Sequence, residues 1–159
     1  MWTIQQREHL THTRELEYKS GIDLSCNRLT GEIPTKIGNL SDIRSLNLSH
    51  NNLTGHILSI FSKLKQIESL DLSHNNLIGR IPTQLTGLNT LAVFDVSYNN
   101  LSGSIPSPKA QFETFDECNY VENPFLCRPP QHKNCSDLDS PPTAAPNTSN
   151  NEEESGLMD

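Results

Sequence analysis

The side chains best suited to chemistry are Cys26, His50, His74 and Tyr98, which stand 24 residues apart, each directly before an asparagine. Imidazoles and a thiolate carried on neighbouring strands can converge on a zinc ion. Serines precede each of them, and Asp71 and Asp95 lie close by, so a serine, a histidine and an aspartate can also be picked out as a nucleophilic set. Both ideas meet the same objection. A metal centre or catalytic site needs a singular, enclosed arrangement with oriented partners, whereas these residue types recur at a fixed interval and no carboxylate is placed to orient the histidines. The sequence carries no nucleophile elbow, no phosphate-cradling glycine loop and no spaced metal motif. The expectation is a non-enzyme with no cofactor and no bound metal.

The interval is the stronger signal. The segments LSCNRLTGEIP, LSHNNLTGHIL, LSHNNLIGRIP and VSYNNLSGSIP hold Asn27, Asn51, Asn75 and Asn99 in one register. Such a period identifies leucine-rich repeats, units that bury an apolar face only by stacking. In SLNLS the residues alternate, so Leu46 and Leu48 point inward while Ser45, Asn47 and Ser49 point out. Stacking then predicts an α/β solenoid of four repeats over residues 21–108, with a parallel sheet of short strands centred on Leu24, Leu48, Leu72 and Val96. A second apolar set, Ile37, Phe61 and Leu85, followed three residues later by Leu40, Leu64 and Leu88, suits 3₁₀ turns on the convex side. The asparagines read as a structural ladder, since a carboxamide can both donate to and accept from main-chain groups that leave the sheet. Gly31, Gly55, Gly79 and Gly103 mark a further backbone turn in each repeat.

The remaining sequence differs in character. Of the 19 acidic residues, six lie in residues 136–159, which hold no Lys or Arg, so most of the net charge of −7 belongs to this tail. Rich in Pro, Ser, Asn and Glu, it has little to bury and is expected to be disordered. The chain lacks the basic patch that nucleic-acid binding requires. Residues 1–20 are polar and lack the apolar run of a signal peptide, and nowhere does the sequence reach the roughly 18 to 20 apolar residues of a membrane helix. Cys127 and Cys135 bracket a proline-containing loop, and a disulfide between them would close the end of the solenoid over residues 109–135 in an oxidising compartment. Spacing leaves open whether Cys26 and Cys118 meet. Glycosylation sequons stand at Asn39, Asn52, Asn100, Asn134 and Asn147; a further one at Asn47 would obstruct the concave face and is expected to stay unused.

The consensus with Ile-Pro after the glycine resembles the plant-specific class of leucine-rich repeat. GIDLSCNRLTGEIP through FDVSYNNLSGSIP, closing with QFETFDE and NPFLCRPPQHKNC, is similar to the last repeats and C-terminal cysteine cap of plant receptor-like proteins, the kinase-lacking cell-surface receptors of immunity and development. THTRELEYK resembles the end of the non-repeat island that precedes those repeats, so residues 1–20 read as its remnant. The tail then corresponds to the acidic stretch before the family's membrane helix. The resemblance implies an extracellular position at the plasma membrane. It also implies two partners, a leucine-rich-repeat co-receptor kinase and the upstream repeats of a full-length receptor, with ligand choice resting largely on those earlier repeats. Leu58 stands where the other repeats have Pro34, Pro82 and Pro106, Arg128 where the family usually has Gly, and Cys118 is an unusual thiol. Two other readings are a soluble inhibitor similar to those that block fungal polygalacturonases, and a truncated copy without function.

Stacking maps the concave face in columns. Strands about 4.8 Å apart make neighbours of Arg44 and Glu68, of Asp71 and Asp95, and of His50, His74 and Tyr98. Arg44 and Glu68 are expected to pair, and the two aspartates to form an acidic strip that suits a basic partner. These seven residues vary while the positions beneath them repeat, so they are the candidate protein-binding surface, with Tyr98 as its anchor.

Overall fold

The computed structural model describes residues 20–107, 110–127 and 134–135. Residues 1–19 of the expected island remnant, the expected disordered tail at 136–159, Arg128 and the sequon at Asn147 lie outside the described residues. Nine short strands run in chain order: β1 (Gly21–Asp23), β2 (Thr30–Glu32), β3 (Ser45–Asn47), β4 (Asn52–Thr54), β5 (Ser69–Asp71), β6 (Ile78–Gly79), β7 (Val93–Asp95), β8 (Asn100–Ser104) and β9 (Phe125–Cys127).

The concave sheet has the order β1-β3-β5-β7 and is parallel throughout, with Ile22, Leu46, Leu70 and Phe94 in one register row. Its strands centre two residues earlier than the sequence pattern suggests. Main-chain bonding continues past the strands, however: the N–H groups of Leu24, Leu48 and Leu72 each donate to the next turn at 2.8 Å. Leu48, Leu72 and Val96 are buried, whereas Leu24 is only half-buried, because among the described residues no turn packs on its outer side.

The serines of the same stretch depart from strict alternation. Ser49, Ser73 and Ser97 are buried instead of pointing to solvent. The backbone is already leaving the sheet there, and each Ser N–H donates to the carbonyl oxygen of the Asn or Asp side chain two residues before it. Ser73 and Ser97 add a hydroxyl bond to the same aspartate oxygen at 2.7 and 2.6 Å. These are Asx turns, a use of short polar side chains that competes with extended structure.

The asparagine ladder follows the expected logic. Asn75 Nδ2 donates to the carbonyls of Leu48, Leu72 and Ser73 at 3.0, 3.2 and 3.1 Å, and its oxygen accepts the Leu53 N–H at 3.0 Å. Asn51 and Asn99 repeat the pattern and are buried; Asn27, in the outermost described turn, is exposed and among the described residues donates only to Leu24 and Ser25. The ladder also has a rung the repeat pattern did not include. Asn123 accepts the Leu101 N–H at 3.0 Å and donates to the carbonyls of Val96 and Tyr120. The Val96 and Tyr98 N–H groups donate to Asn119 and Val121 at 2.9 Å, so the cap begins as a fifth turn of the coil.

After each asparagine the chain enters a second set of parallel pairings, β2-β4 and β6-β8-β9, joined between them by a bridge from His56 to Ile78. The sequence pattern does not show these strands, since β2 is exposed along its whole length and carries no apolar alternation. The following glycine has a positive φ; at Gly79 it is 78°, and a Cβ there would collide with the His56 imidazole. The convex side is made of 3₁₀ turns at Thr35–Asn39, Ser59–Lys63 and Thr83–Gly87, as the spacing predicts. Pro34 and Pro82 lead into them with φ of −65° and −63°; Leu58 takes the same extended conformation at φ −81° and ψ 131°, so losing the proline leaves the turn unchanged.

The core lies between the concave sheet and these turns. Leu46, Leu48, Phe61, Leu64, Ile67, Leu70, Leu72 and Leu85 are inaccessible to solvent. At the C-terminal end an aromatic cluster covers the last turn: Phe94 lies 5.3 Å from Phe112, 5.7 Å from Phe115 and 6.3 Å from Tyr120 between ring centroids. Phe125 stays out of this cover and is 49% exposed, because on β9 it is Leu126 that faces inward. Cys127 and Cys135 form the expected disulfide, while Cys26 and Cys118 are free and exposed.

Three measurements check this account. Leu72→Ala should cost about 2 to 5 kcal/mol in denaturant unfolding, and Asn75→Ala at least about 2 kcal/mol more than Asn27→Ala, because only the former strands a buried N–H and carbonyls. Non-reducing peptide mapping should find Cys127 linked to Cys135, with Cys26 and Cys118 open to alkylation. Burial raises the pKa of the Tyr120 phenol. With the folded value above the unfolded value of about 10, its contribution to stability is complete below that pH and is lost as pH rises beyond it. The unfolding midpoint should therefore fall above about pH 10, and Tyr120→Phe should lessen that fall.

Candidate functional site

The turn out of each concave strand places one residue in the left-handed region. Cys26, His50, His74, Tyr98 and Glu122 have φ between 52° and 58°. For residues other than glycine this conformation costs about 1 to 2 kcal/mol. It persists because the flanking main chain is fully committed: the His50 N–H donates to Ser73, and the His74 carbonyl accepts from Asn51. The side chains at this position are therefore thrown outward at one edge of the concave sheet, one per turn, in a fixed orientation.

The result is a ladder of rings. His50 and His74 stack with centroids 4.0 Å apart and planes 13° from parallel, and His74 and Tyr98 stack at 4.2 Å and 10°. Tyr98 is 47% exposed. His50 is exposed as well, and His74, sandwiched between two rings, is half-buried. The ladder uses imidazoles as planar faces, which is a different use from metal ligation. Among the described residues no group of three or more His, Cys, Asp or Glu is placed to hold a metal ion.

Further along the same sheet, Arg44 Nη1 meets Glu68 Oε1 at 2.6 Å, the expected cross-strand pair. Its side chains are 34% and 42% exposed, so it contributes at most a few tenths of a kcal/mol and acts chiefly to hold two side chains in place on the surface. Asp71 and Asp95 are neighbours in register, as expected. Each gives one oxygen to the Asx turn with Ser73 or Ser97. Asn47 does the same for the Ser49 N–H and is half-buried, whereas Asn39, Asn52, Asn100 and Asn134 are exposed.

Of the seven candidate surface residues, the structure thus brings His50, His74 and Tyr98 into one stacked unit and pairs Arg44 with Glu68. It assigns Asp71 and Asp95 a main-chain task. Glu122 was missed by the motif reading. The signal was present, since Asn123 lies one period beyond Asn99, but the flanking leucines of the motif are absent there and Pro124 follows. No helix among the described residues is long and apolar enough to cross a membrane.

Comparison with known proteins agrees with this geometry. Family models for leucine-rich repeats match residues 20–77 and 90–110. Cuscuta receptor 1 of Solanum lycopersicum is 69% identical over 144 residues, which is 91% of this chain and 13% of that protein. The BIR2 ectodomain of Arabidopsis thaliana superposes with a TM-score of 0.63 at 42% identity, covering 68% of this chain and 56% of that one. The Arabidopsis receptor kinase HAESA, solved with the peptide hormone IDA and the co-receptor SERK1, superposes with a TM-score of 0.59 at 38% identity, over 66% of this chain and 17% of that one. The chain thus spans 13% of the length of the receptor it matches. Stacked parallel strands, 3₁₀ turns, the asparagine ladder and these likenesses together show that the chain belongs to the leucine-rich repeat family in the form found in plant receptor-like proteins.

Proposed function

We propose that this chain is a non-catalytic protein-binding module of a plant cell-surface receptor, on the extracellular side of the plasma membrane, and that its last repeats contact a co-receptor kinase in immune or developmental signalling. The observation that carries this reading is the exposed ring ladder of His50, His74 and Tyr98, held rigid by the main chain on a fold whose repeating residues are otherwise spent on packing. Preorganised aromatic faces bind protein partners with little loss of side-chain entropy, and tyrosine is enriched among the residues that dominate interface energies. Arg44 and Glu68 supply a polar rim to the same face. The solved HAESA structure contains a co-receptor of the kind proposed here. The exposed sequons at Asn39, Asn52, Asn100 and Asn134 suit a secreted surface.

The test is association within a full-length receptor carrying residues 20–135 of this chain. Tyr98→Ala should weaken ligand-dependent co-receptor binding by at least about tenfold, or about 1.4 kcal/mol. Tyr98→Phe should retain most of it. Unchanged association with Tyr98→Ala combined with His74→Ala would remove this face from the interface.

A further inference from the structure

The ring ladder does not end in a ring. In the fifth turn the equivalent position is Glu122, with the same left-handed backbone (φ 58°, against 54° at Tyr98) and tied alongside by the Tyr98 N–H, which donates to the Val121 carbonyl at 2.9 Å. One face of the Tyr98 ring lies on His74, while the residue as a whole remains 47% exposed, and the next side chain in the column is an exposed carboxylate. Beyond the serine column, the column of Asp71 and Asp95 continues to Asn119, and neither it nor the ring column contains a lysine or arginine.

We propose that the open side of Tyr98 and the Glu122 carboxylate together bind the guanidinium of an arginine presented by a protein partner. The proposal rests on the protein-contact reading above and names the chemistry of the contact. A guanidinium is planar and weakly hydrated, so it can continue the stack where the next ring would lie, gaining a cation–π contact with tyrosine. Its edge N–H groups then face a carboxylate that can accept two of them, an arrangement a lysine ammonium cannot match while also stacking. The interval between rungs, 4.0 to 4.2 Å in the existing ladder, is the distance at which one planar group stacks directly on the next, so a guanidinium resting on Tyr98 would lie level with the Glu122 rung, edge-on to its carboxylate.

The test uses the whole chain with ring-labelled tyrosine, which gives signals from three residues, Tyr18, Tyr98 and Tyr120; Tyr98→Leu assigns the middle one. Titration with N-acetyl-arginine amide should move the Tyr98 ring signals upfield and leave Tyr120 in place. N-acetyl-citrulline amide, of the same shape without the charge, should move them far less, and Glu122→Gln should weaken the arginine response about threefold, the scale of an exposed charge pair. Equal responses to arginine and citrulline, an unchanged response in Glu122→Gln, or an equal shift with methyl glucoside would overturn the proposal, the last by showing a sugar-stacking face instead. In the receptor association assay, loss with Tyr98→Ala but not with Glu122→Gln would keep the protein-contact reading and discard the arginine. Loss with neither would discard both.

Discussion

One buried carboxamide per turn holds the coil together. A chain that leaves a parallel strand, reverses and enters a second strand exposes several main-chain donors and acceptors at the corner, and burying them without partners would cost about 1 to 3 kcal/mol each. Asn51, Asn75, Asn99 and Asn123 meet that demand by bonding both within their own turn and to the turn before, so the same side chain closes the corner and sets the stacking. The apolar core can then fill the space between sheet and 3₁₀ turns with side chains that repeat in identity because their surroundings repeat.

The surface follows from the same corner. Because the carboxamide pins the backbone, the residue before it is held in the left-handed region whatever its type, and histidine, tyrosine, cysteine and glutamate all occupy it. Their side chains align one above another, and adjacent planar groups stack. The ring ladder is thus a by-product of the structural ladder, with its orientation guaranteed by the main chain and its chemistry free to vary. That division of labour lets a repeat fold carry a specific surface without altering its packing.

The two ends differ in physical character. At the C-terminal end the coil makes a fifth half-turn and is covered by Phe112, Phe115 and Tyr120, with Leu126 beneath the disulfide-linked Cys127. At the opposite end of the described residues, Leu24, Leu29, Ile37 and Leu40 are only partly buried. Sequential stacking explains the contrast, since each turn shields the one before it, and the outermost described turn, which still buries Ile22 and Ile33, leaves these four side chains covered on one side only.

Period and residue type together were enough to read the fold from the sequence: the parallel sheet, the 3₁₀ turns, the asparagine ladder at 51, 75 and 99, the Arg44–Glu68 pair and the Cys127–Cys135 bridge all follow from spacing. Each depends on a local rule applied at a fixed interval, and a solenoid converts sequence offset directly into spatial neighbourhood. What spacing could not show was decided by the backbone path at the corners. Ser49, Ser73 and Ser97 turned inward because Asx turns replaced extended structure there, and Asp71 and Asp95 were drawn into those turns. The second set of strands carries no alternating pattern, and Phe125 faces out because Leu126 takes the inward place on its strand. The stacking of His50, His74 and Tyr98, and the arrival of Glu122 beside them, required the positive φ that only the assembled ladder of hydrogen bonds imposes.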